Sequence, residues 1–451
     1  MKILVKPSVN SYEDSSVFPN SSKHKNFSSV ETIKPKVLKI LVLNCGSSSI
    51  KAKLFANDEC LISFGIEEIG GDSKIKYKLH DKESEIKGHL ENHKEALNQM
   101  MVILKENFDL SDIECISHRI VNGGENFIEP VLVDDEVVRK LEEIIYLAPL
   151  HNPASLAGIK LARELFPGKK NIVIFDTAFH STIPEKAFLY GLPYDLYEKY
   201  TLRKFGFHGT SHRYVVNQVL LKLNNSNAKV KKLPEDNFSL SKFETVSSEV
   251  SNPNLKIISC HLGNGSSVAA SIGGKCADTS MGFTPLDGLA MGTRSGSVDP
   301  SIITFLMEKE NMGRAELEHL LNKKSGMLGI SKLSSDMRVL NDEYDKNKLA
   351  KLAIDLFAYQ VLKFIGAYAA VMNGIDALVF TGGIGENDWR VRELILENLT
   401  YLGITFDKQR NMKKEEVLSS EDSKIPVYII KTNEELQMAR ESRKLIETNF
   451  C

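Results

Sequence analysis

Hydrophobic and polar positions first form a clear pattern near residue 37, where they predict a strand, a turn and a returning strand. Residues 37–43 are a short apolar run rich in branched side chains, which predicts a buried strand that Asn44 and Gly46 end. Residues 50–55 alternate apolar and polar positions and predict the second strand of a hairpin. A third strand is predicted at 61–66.

The middle of the first half carries helical periodicity. Apolar residues recur with a helical period at 93–106, 135–147 and 154–165. Asn152 followed by Pro153 is typical of a helix start, because an Asn side chain caps a helix and Pro is tolerated in its first turn. A buried strand is predicted at 171–175 and ends at Asp176.

The second half repeats part of this order. The pattern predicts strand–turn–strand over 256–272, a long helix at 347–373, a strand at 377–381 and then a Gly-rich turn. Residues 43–50 and 261–268 share an apolar strand, a Gly-containing turn and paired serines. We therefore predict two related α/β halves, whose Gly/Ser hairpins face one another across a cleft and grip a polyphosphate.

Length and charge narrow the class of protein. The chain has 451 residues, and at ~100–200 residues per domain this predicts two or three domains. Apolar residues at 42% and charged residues at 26% are ordinary for a globular protein. The net charge of −2 argues against nucleic acid or an anionic membrane as the main partner.

Two segments stand outside this pattern. Residues 1–36, rich in Ser, Lys and Asn, predict a disordered extension without a secretory apolar segment. Residues 224–254 predict a surface insertion. The most apolar helical stretch, 364–375, is shorter than the ~20 residues that span a bilayer. Six widely spaced cysteines suit a reducing compartment, so we predict a cytoplasmic protein.

The two hairpins are candidate phosphate cradles. The first, 44–51, has small residues, hydroxyls at Ser47 to Ser49 and a cation at Lys51, although a tight Ser-rich turn explains the same residues. The second, 263–267, contains Asn-Gly, itself a strong turn signal. Neither is a P-loop, because GxxxxGK[ST] is absent. A third Gly-rich segment, 381–387, lacks the GxGxxG spacing of a dinucleotide site.

Charged residues in Gly-rich surroundings are the remaining candidates. Arg119 and Arg294 offer planar forks to a carboxylate or phosphate, with a structural ion pair as the alternative. Asp176 and Glu434 are oxygen ligands that suit Mg²⁺. A zinc site is the alternative use of the chain's clustered histidines, but HExxH is absent and no cysteine accompanies them. These histidines are His118, His151, His180, His208, His212 and His261.

Taken together, these segments resemble the acetate kinase family, which includes acetate, propionate and butyrate kinases. The resemblance covers roughly 38–223 and 256–446. Ten blocks in the right order carry it: LVLNCGSSSIK (41–51), SHRIVNGGE (117–125), LAPLHNP (147–153), FDTAFHSTIP (175–184), FGFHGTSHRY (205–214), SCHLGNGSSVAA (259–270), DTSMGFTPLDGLAMGTRSGSVDP (278–300), SGMLGISKLSSDMR (325–338), FTGGIGEN (380–387) and TNEEL (432–436).

The resemblance implies a fold and a reaction. The fold is α/β, with two ribonuclease-H-like lobes of the acetate and sugar kinase/Hsp70/actin superfamily around a nucleotide cleft. The first lobe would span 38–177 plus 436–451, and the second 178–435, including the insertion. The reaction is reversible phosphoryl transfer from ATP to acetate, giving ADP and acetyl phosphate, with Mg²⁺ or alternatively Mn²⁺. Family members are typically homodimers, so we expect a homodimer.

The resemblance also implies roles for individual residues. Arg119 would bind the substrate carboxylate, and Arg294 and His208 would stabilise the transferring phosphoryl group, with Asp176 completing the catalytic set. Asn44 and Glu434, together with Asp176, would place the metal. The substrate methyl pocket would comprise Val121, Leu150, Phe207 and Pro285. The ATP-binding residues would be Ser47, Lys51, His261, Leu262, Gly263, Asn264, Gly265, Asp336, Met337, Arg338, Gly383, Ile384, Gly385, Glu386 and Asn387.

Two other functions stay open at this point. One extra methylene changes binding by only ~1–3 kcal/mol, so a propionate or butyrate kinase has nearly the same sequence requirements. An Hsp70/actin-like ATPase that binds proteins would need the two hairpins, but not the pair Arg119 and Arg294. Acetate-stimulated turnover of ATP separates the second alternative from a kinase.

Overall fold

The computed structural model describes residues 37–149, 151–227 and 252–450. The predicted extension over 1–36 and residue Leu150 lie outside the described residues. Most of the predicted insertion also lies outside them. Its first residues are the end of a helix that runs to Asn227.

The first sheet has eight strands in the order β5-β4-β3-β2-β1-β6-β8-β7. Its centre, β1, pairs antiparallel with β2 and parallel with β6, which in turn pairs parallel with β8. The apolar run that predicted the first strand explains this position, because residues 40–43 are almost completely buried. The strands are β1 (Lys39–Cys45), β2 (Ile50–Ala56), β3 (Glu59–Glu67), β4 (Asp72–Leu79), β5 (Lys82–His89), β6 (Ile113–Ile120), β7 (Val131–Leu132) and β8 (Lys170–Phe175).

The second sheet has five strands in the order β11-β10-β9-β12-β13. Its centre, β9, pairs antiparallel with β10 and parallel with β12, and β12 pairs parallel with β13. These strands are β9 (Lys256–Leu262), β10 (Ser266–Ile272), β11 (Lys275–Thr279), β12 (Ala377–Thr381) and β13 (Val427–Ile429).

The two sheets share one frame. The order β3-β2-β1-β6-β8 in the first sheet matches β11-β10-β9-β12-β13 in the second, with the same parallel and antiparallel pairings. The predicted relationship between two α/β halves is therefore confirmed at the level of topology. It also follows that the hairpins β1–β2 and β9–β10 occupy equivalent positions.

Helices cover both sheets. The longest described helix, Lys348–Val371, begins where the Asn347 side chain accepts hydrogen bonds from the backbone N–H groups of Leu349 and Ala350. The described α-helices are His93–Asn107, Asp135–Glu143, Asn152–Leu165, Glu185–Phe188, Tyr194–Tyr200, Gly209–Asn227, Pro300–Lys309, Arg314–Lys323, Gly326–Ser331, Met337–Asp342, Lys348–Val371, Gly382–Asn387, Trp389–Leu396, Lys408–Lys413 and Glu434–Phe450.

Helix Lys348–Val371 corrects one sequence-based argument. The apolar stretch 364–375 is too short to span a bilayer, but the whole helix of 24 residues is long and apolar enough to do so by length and composition. Phe357, Val361 and Ile365 are completely buried against the second sheet in the largest hydrophobic cluster of the described residues. This helix is therefore a core helix of the second half.

The C-terminal helix, Glu434–Phe450, returns to the first sheet. Its Ser442 hydroxyl donates to Ser117 Oγ at 2.8 Å on β6. Its Glu441 accepts a hydrogen bond from Arg213 of helix Gly209–Asn227 at 3.0 Å. The helix therefore ties both halves together, and its first turn lies where the two sheets face each other.

Several local predictions differ from the structure. The segment after β12, predicted as a Gly-rich turn, is the helix Gly382–Asn387, which begins with Gly382 at φ +77°. The predicted helix 135–147 ends at Glu143 and continues as a 3₁₀ turn. Strands β4 and β5 were not predicted. β5 is mostly exposed and carries little hydrophobic alternation, whereas Ile75, Tyr77 and Leu79 of β4 do alternate with lysines, so that β4 is a missed signal.

Candidate active site

A polar cleft lies between the ends of the two central hairpins. Residues from both halves converge on it, as expected for two sheets whose central strands end at a common crevice. The residues that line it are Asn44, Lys51, Arg119, His208, His261, Gly263, Asn264, Gly265, Thr432, Glu434 and Glu435.

The first hairpin presents two side chains to the cleft. Asn44 on β1 and Lys51 on β2 are directly opposite each other in the strand register. The loop between them closes with a hydrogen bond from Gly46 N to Ser49 O at 2.8 Å. Ser47, predicted to bind phosphate, is exposed at the tip of this loop and does not line the cleft.

The second hairpin is tighter and more enclosed. Gly263 N donates to Gly265 O at 3.1 Å, and the Ser266 hydroxyl donates to Gly263 O at 2.9 Å. Backbone therefore faces the cleft from Gly263 to Gly265, as a phosphate-binding loop requires. Leu262, predicted with these residues, has its side chain completely buried in the core, so only its backbone is available to a ligand.

Arg119 and Asp176 form a bidentate ion pair at the ends of neighbouring parallel strands. Arg119 Nε donates to Asp176 Oδ1 at 2.9 Å, and Arg119 Nη2 donates to Oδ2 at 2.6 Å. Burial disfavours the guanidinium charge, but the Asp176 carboxylate outweighs this effect and raises the pKa of Arg119. Among the described residues, Arg119 Nη1 has no hydrogen-bond partner, so this face of the fork is available to a ligand.

Arg294 is held differently. Its Nη1 donates to the Pro285 carbonyl at 3.2 Å and lies 3.7 Å from Met291 Sδ. No carboxylate pairs with it within the described residues, and burial lowers its pKa. A partly buried guanidinium without a counter-ion is costly, and an anionic ligand would relieve that cost.

His208 and Arg294 both approach Gly265 of the second hairpin. A Cβ placed on Gly265 would be 3.3 Å from His208 Nε2 and 3.7 Å from Arg294 Nη1. Glycine at 265 therefore leaves room for a ligand between a histidine and an arginine. His208 itself has φ +56°, a left-handed conformation that non-glycine residues adopt at a cost.

The histidines around the cleft are neutral and bonded to hydroxyl groups. His261 Nδ1 is 2.7 Å from Ser211 Oγ, and its ring stacks on His208 with centroids 4.4 Å apart. Burial, and then the nearby charge of Arg119, lowers the pKa of His261 to about 4. Burial and neighbouring histidines lower the pKa of His208 well below its usual value.

Glu434 is the carboxylate that fits a cation. Burial raises the pKa of Glu434 to about 7. The positive charges of Arg119 and Lys51 oppose this effect, and the negative charges of Asp176 and Glu435 add to it. The side chain of Glu434 makes no hydrogen bond or ion pair to the rest of the described chain. Asn44 lines the same cleft, and the amide oxygen of Asn44 and the carboxylate of Glu434 are hard donors of the kind that Mg²⁺ or Mn²⁺ takes. Asp176, predicted to complete this set, is 1% exposed and is not among the residues that line the cleft, and both of its carboxylate oxygens accept hydrogen bonds from Arg119.

The predicted apolar pocket is partly assembled. Phe207 is buried in one cluster with Leu147, Met281 and Met291, and Val121 packs against that cluster. Pro285 contributes its carbonyl to Arg294. Leu150 lies outside the described residues.

The predicted adenosine residues are distributed around the second sheet. Asp336 caps helix Met337–Asp342 and pairs with Arg338 at 2.6 Å, in an exposed position. Met337 is buried in the core, so its side chain does not face a ligand. Gly383 N would lie 3.9 Å from a Cβ on Gly263, which places the start of 383–387 beside the second hairpin.

Within 383–387, Glu386 has a structural contact. Its Oε1 accepts hydrogen bonds from Gly382 N at 3.0 Å and Thr432 N at 3.1 Å. Asn387 donates from Nδ2 to Gly383 O at 3.0 Å. Ile384 and Gly385 complete the helix, and Gly385 O accepts from buried Arg392 at 2.9 Å.

Several residues of the cleft were not predicted. Thr432 and Glu435 line it, and Ser211, Ser267 and His212 bond its histidines. The pairing of Ser and His within 205–214 and 259–270 was the available signal, but nothing in the sequence shows which hydroxyl meets which ring.

Comparisons with known proteins agree on one family. Residues 39–234 and 242–440 match the sequence model of the acetokinase family. Over 423 residues the chain is 48% identical to an acetate kinase of Thermoanaerobacter pseudethanolicus, covering 91% of this chain and 99% of that protein.

Solved structures give the same result. The crystal structure of Porphyromonas gingivalis acetate kinase matches with a TM-score of 0.80 at 40% identity, covering 91% of this chain and 100% of that one. The crystal structure of a propionate kinase from Francisella tularensis matches with a TM-score of 0.80 at 38% identity, covering 90% and 98%.

Proposed function

Because the chain belongs to the acetokinase family, its activity is the reversible transfer of a phosphoryl group between ATP and acetate, and we propose that the cleft between the two hairpins carries it out. In the forward direction an acetate oxygen attacks the γ-phosphorus as the bond to ADP breaks, so acetyl phosphate and ADP form. The two substrates are both anions. The chief task of the cleft is to bring them together and hold them in line.

One observation supports this proposal most strongly: Arg294 is a partly buried cation that no carboxylate of the described residues pairs with. It lies beside His208 and the Gly263–Gly265 backbone, where a terminal phosphoryl group would meet several hydrogen-bond donors. In phosphoryl transfer, charge is spread over the equatorial oxygens, and fixed donors aimed at them stabilise the transition state. We assign Arg294 and His208 this role.

Arg119 has the acetate carboxylate as its proposed ligand. Asp176 occupies its Nε–Nη2 edge and fixes the plane of the guanidinium, and the other side of the fork is left for the substrate. The substrate methyl group would then lie against Val121 and Phe207, with Pro285 and Leu150 completing the pocket. Asp176 therefore orients Arg119.

The family uses ATP and a divalent metal, and we propose Mg²⁺, with Mn²⁺ as a substitute. Asn44, Asp176 and Glu434 would hold it, directly or through water. When bound, the metal neutralises charge on the phosphate oxygens. Lys51 would bind a phosphate, and the 261–265 backbone would hold the β- and γ-phosphates. Ser47 would take part only if its loop moves toward the nucleotide, and 336–338 with 383–387 would hold adenosine.

The experiment that tests the activity is a hydroxamate assay of the acyl phosphate formed from ATP with acetate, propionate and butyrate. The proposal expects product with all three acids and the highest kcat/KM with acetate. Higher kcat/KM with propionate would favour a propionate kinase, the activity named for the Francisella relative. ATP hydrolysis that acetate does not stimulate would instead favour an actin-like ATPase.

We also propose the organisation of the whole protein. The first lobe comprises 38–177 with 436–451, and the second comprises 178–435. A homodimer is supported by helix Pro300–Lys309, where Ile302, Phe305 and Met307 are about half exposed and no residue is buried within the described structure. Light scattering on the purified protein tests the dimer. The proposed compartment is the cytoplasm, which the free thiols of the described cysteines support.

A further inference from the structure

Behind the cleft, a chain of hydrogen bonds leads from His208 into the core of the second sheet. His208 Nδ1 is 2.9 Å from Ser267 Oγ, and Ser267 Oγ is 2.8 Å from His212 Nε2. His212 Nδ1 is in turn 2.7 Å from Ser259 Oγ. Ser259, His212 and Ser267 are at most 1% exposed, so water does not compete for these bonds.

This chain has only two self-consistent directions. A hydroxyl donates one hydrogen, and a neutral imidazole carries one N–H, so each group must donate one way and accept the other. Burial, together with neighbouring histidines, lowers the pKa values of His208 and His212 well below 6.5, so both rings are neutral near pH 7. The direction of the chain therefore decides which nitrogen of His208 carries the hydrogen.

The other contacts of Ser259 favour one direction. The three bonds of the chain lie at 2.7–2.9 Å in either direction, and if Ser259 donates to His212, its hydroxyl hydrogen is used in the 2.7 Å bond. If His212 donates to Ser259, the Ser259 hydrogen is left with the Ala269 carbonyl at 3.5 Å, which is too long for a good hydroxyl bond. Because a buried hydroxyl without a good acceptor is costly, the first direction has the lower free energy.

We propose that Ser259, His212 and Ser267 act as a relay that fixes His208 as the tautomer with its hydrogen on Nε2. Of the His208 ring atoms, Nε2 is the one nearest a Cβ built on Gly265, at 3.3 Å, and that Cβ would lie 3.7 Å from Arg294 Nη1, so Nε2 is on the cleft side of the ring. This tautomer presents a neutral N–H donor to the phosphoryl oxygens, whereas the opposite tautomer would present a lone pair to an anion. Ser267 and His212 are thus positioning residues that act through His208.

This relay rests on the proposed function for its role in turnover, but the tautomer exists in the resting enzyme. The first test is therefore a ¹⁵N NMR spectrum of the whole protein labelled at histidine, recorded without substrates at pH 7.5. The His208 signals are identified by their loss in His208→Gln. The relay predicts a protonated Nε2 and a bare Nδ1, and the reverse pattern overturns it even if the enzyme makes acetyl phosphate.

The second test separates positioning from structural support. Ser267→Ala removes the link to Nδ1 and should lower kcat roughly 10- to 100-fold, with KM for ATP and acetate changed less than about threefold. Ser267→Thr keeps the hydroxyl on a strand and should restore most of kcat. The matched control is Ser271→Ala on the same strand and face, a completely buried residue whose hydroxyl, among the described residues, bonds only the Ile257 carbonyl.

Two results would overturn the relay in this second test. One is a Ser267→Ala enzyme with wild-type kcat and an unchanged His208 spectrum. The other is a loss of kcat in Ser271→Ala as large as that in Ser267→Ala. That result would mean that Ser267, like Ser271, supports activity through the packing of β10 and not through His208. If Ser267→Ala does not fold, the wild-type spectrum still decides the proposal.

Discussion

The two central hairpins have the same place in the same five-stranded frame, yet their chemistry differs. The first carries an amide and an exposed Lys51, and its Ser47 tip extends away from the cleft. The second is enclosed by histidines and serines that bond one another behind it. A common frame therefore supports an adaptable side, suited to metal and incoming substrate, and a rigid side, suited to a developing charge.

The largest expected effect tests the rigid side. Arg294→Ala should lower kcat by at least ~10³, because an arginine that stabilises a phosphoryl-transfer transition state contributes ~10³–10⁵ in rate. The fold should persist, since within the described parts of the chain the Arg294 side chain bonds only one carbonyl and a sulfur. Steady-state kinetics with ATP and acetate measure this effect. A loss of tenfold or less would remove Arg294 from its assigned role.

The next effect compares the two turns directly. Gly265→Ala places a methyl group 3.3 Å from His208 Nε2, where the transferring group should lie, and we expect roughly a 100-fold lower kcat. Gly46→Ala in the first hairpin meets chiefly the movable Ser49 hydroxyl at 3.0 Å, and kcat should fall less than about fivefold. Neither glycine has positive φ, so backbone strain does not confuse the comparison. Equal losses would mean that the two hairpins have equivalent roles.

A smaller effect tests the adaptable side. Lys51→Ala should lower kcat/KM for ATP roughly tenfold, because an exposed lysine contributes a screened charge to phosphate binding. Raising the salt concentration should narrow the difference between wild type and variant. Lys78→Ala, at an exposed position of strand β4, is the control and should change nothing measurable. A Lys51→Ala enzyme with unchanged KM and kcat would place the nucleotide elsewhere.

How much of this could be read from the sequence depends on whether a feature is local. The strands 39–45, 50–56 and 256–262 follow from short apolar runs with turn residues between them, and both hairpins were predicted within two residues. Most residues that line the cleft lie within the sequence motifs quoted above, so they could be predicted as site residues. The helix after β12 was missed because three glycines favour a turn, while packing and the Glu386 carboxylate bond to Gly382 N stabilise a helix there.

Contacts between distant segments could not be predicted. Arg119 meets Asp176 only because β6 and β8 are parallel neighbours, and Ser267 meets two histidines only because helix Gly209–Asn227 packs on β9. Leu262 and Met337 lie within ligand-binding motifs, but strand alternation and helix packing turn their side chains into the core. A motif names neighbours in sequence, and the fold decides which of them share a surface.

The smallest effect concerns stability against pH in the first sheet. His118 is buried on β6 beside Asn171, and burial lowers its pKa to about 4. The unfolded chain binds this proton below about pH 6.5 and the folded one only near pH 4, so acidification between these values favours unfolding. One such histidine makes the free energy of unfolding fall more steeply on acidification, by about 1 kcal/mol per pH unit.

Urea unfolding of His118→Gln measures this contribution. Between pH 6.5 and 4.5 the free energy of unfolding of this variant should fall less steeply with pH than that of the wild type. The difference in slope should be about that which the binding of one proton contributes. His89→Gln, on exposed strand β5, should keep the wild-type slope. Parallel curves for wild type and His118→Gln would contradict a buried, neutral His118.

The central claim is that the cleft lets two anions meet directly. The measurement that tests it is the fate of the γ-phosphoryl group of radiolabelled ATP, mixed with the enzyme, Mg²⁺ and acetate. With acetate present, the label should appear in acid-labile acetyl phosphate, and little of it should appear in inorganic phosphate. Without acetate, no labelled inorganic phosphate should form. Label released as inorganic phosphate at the same rate with and without acetate would contradict it.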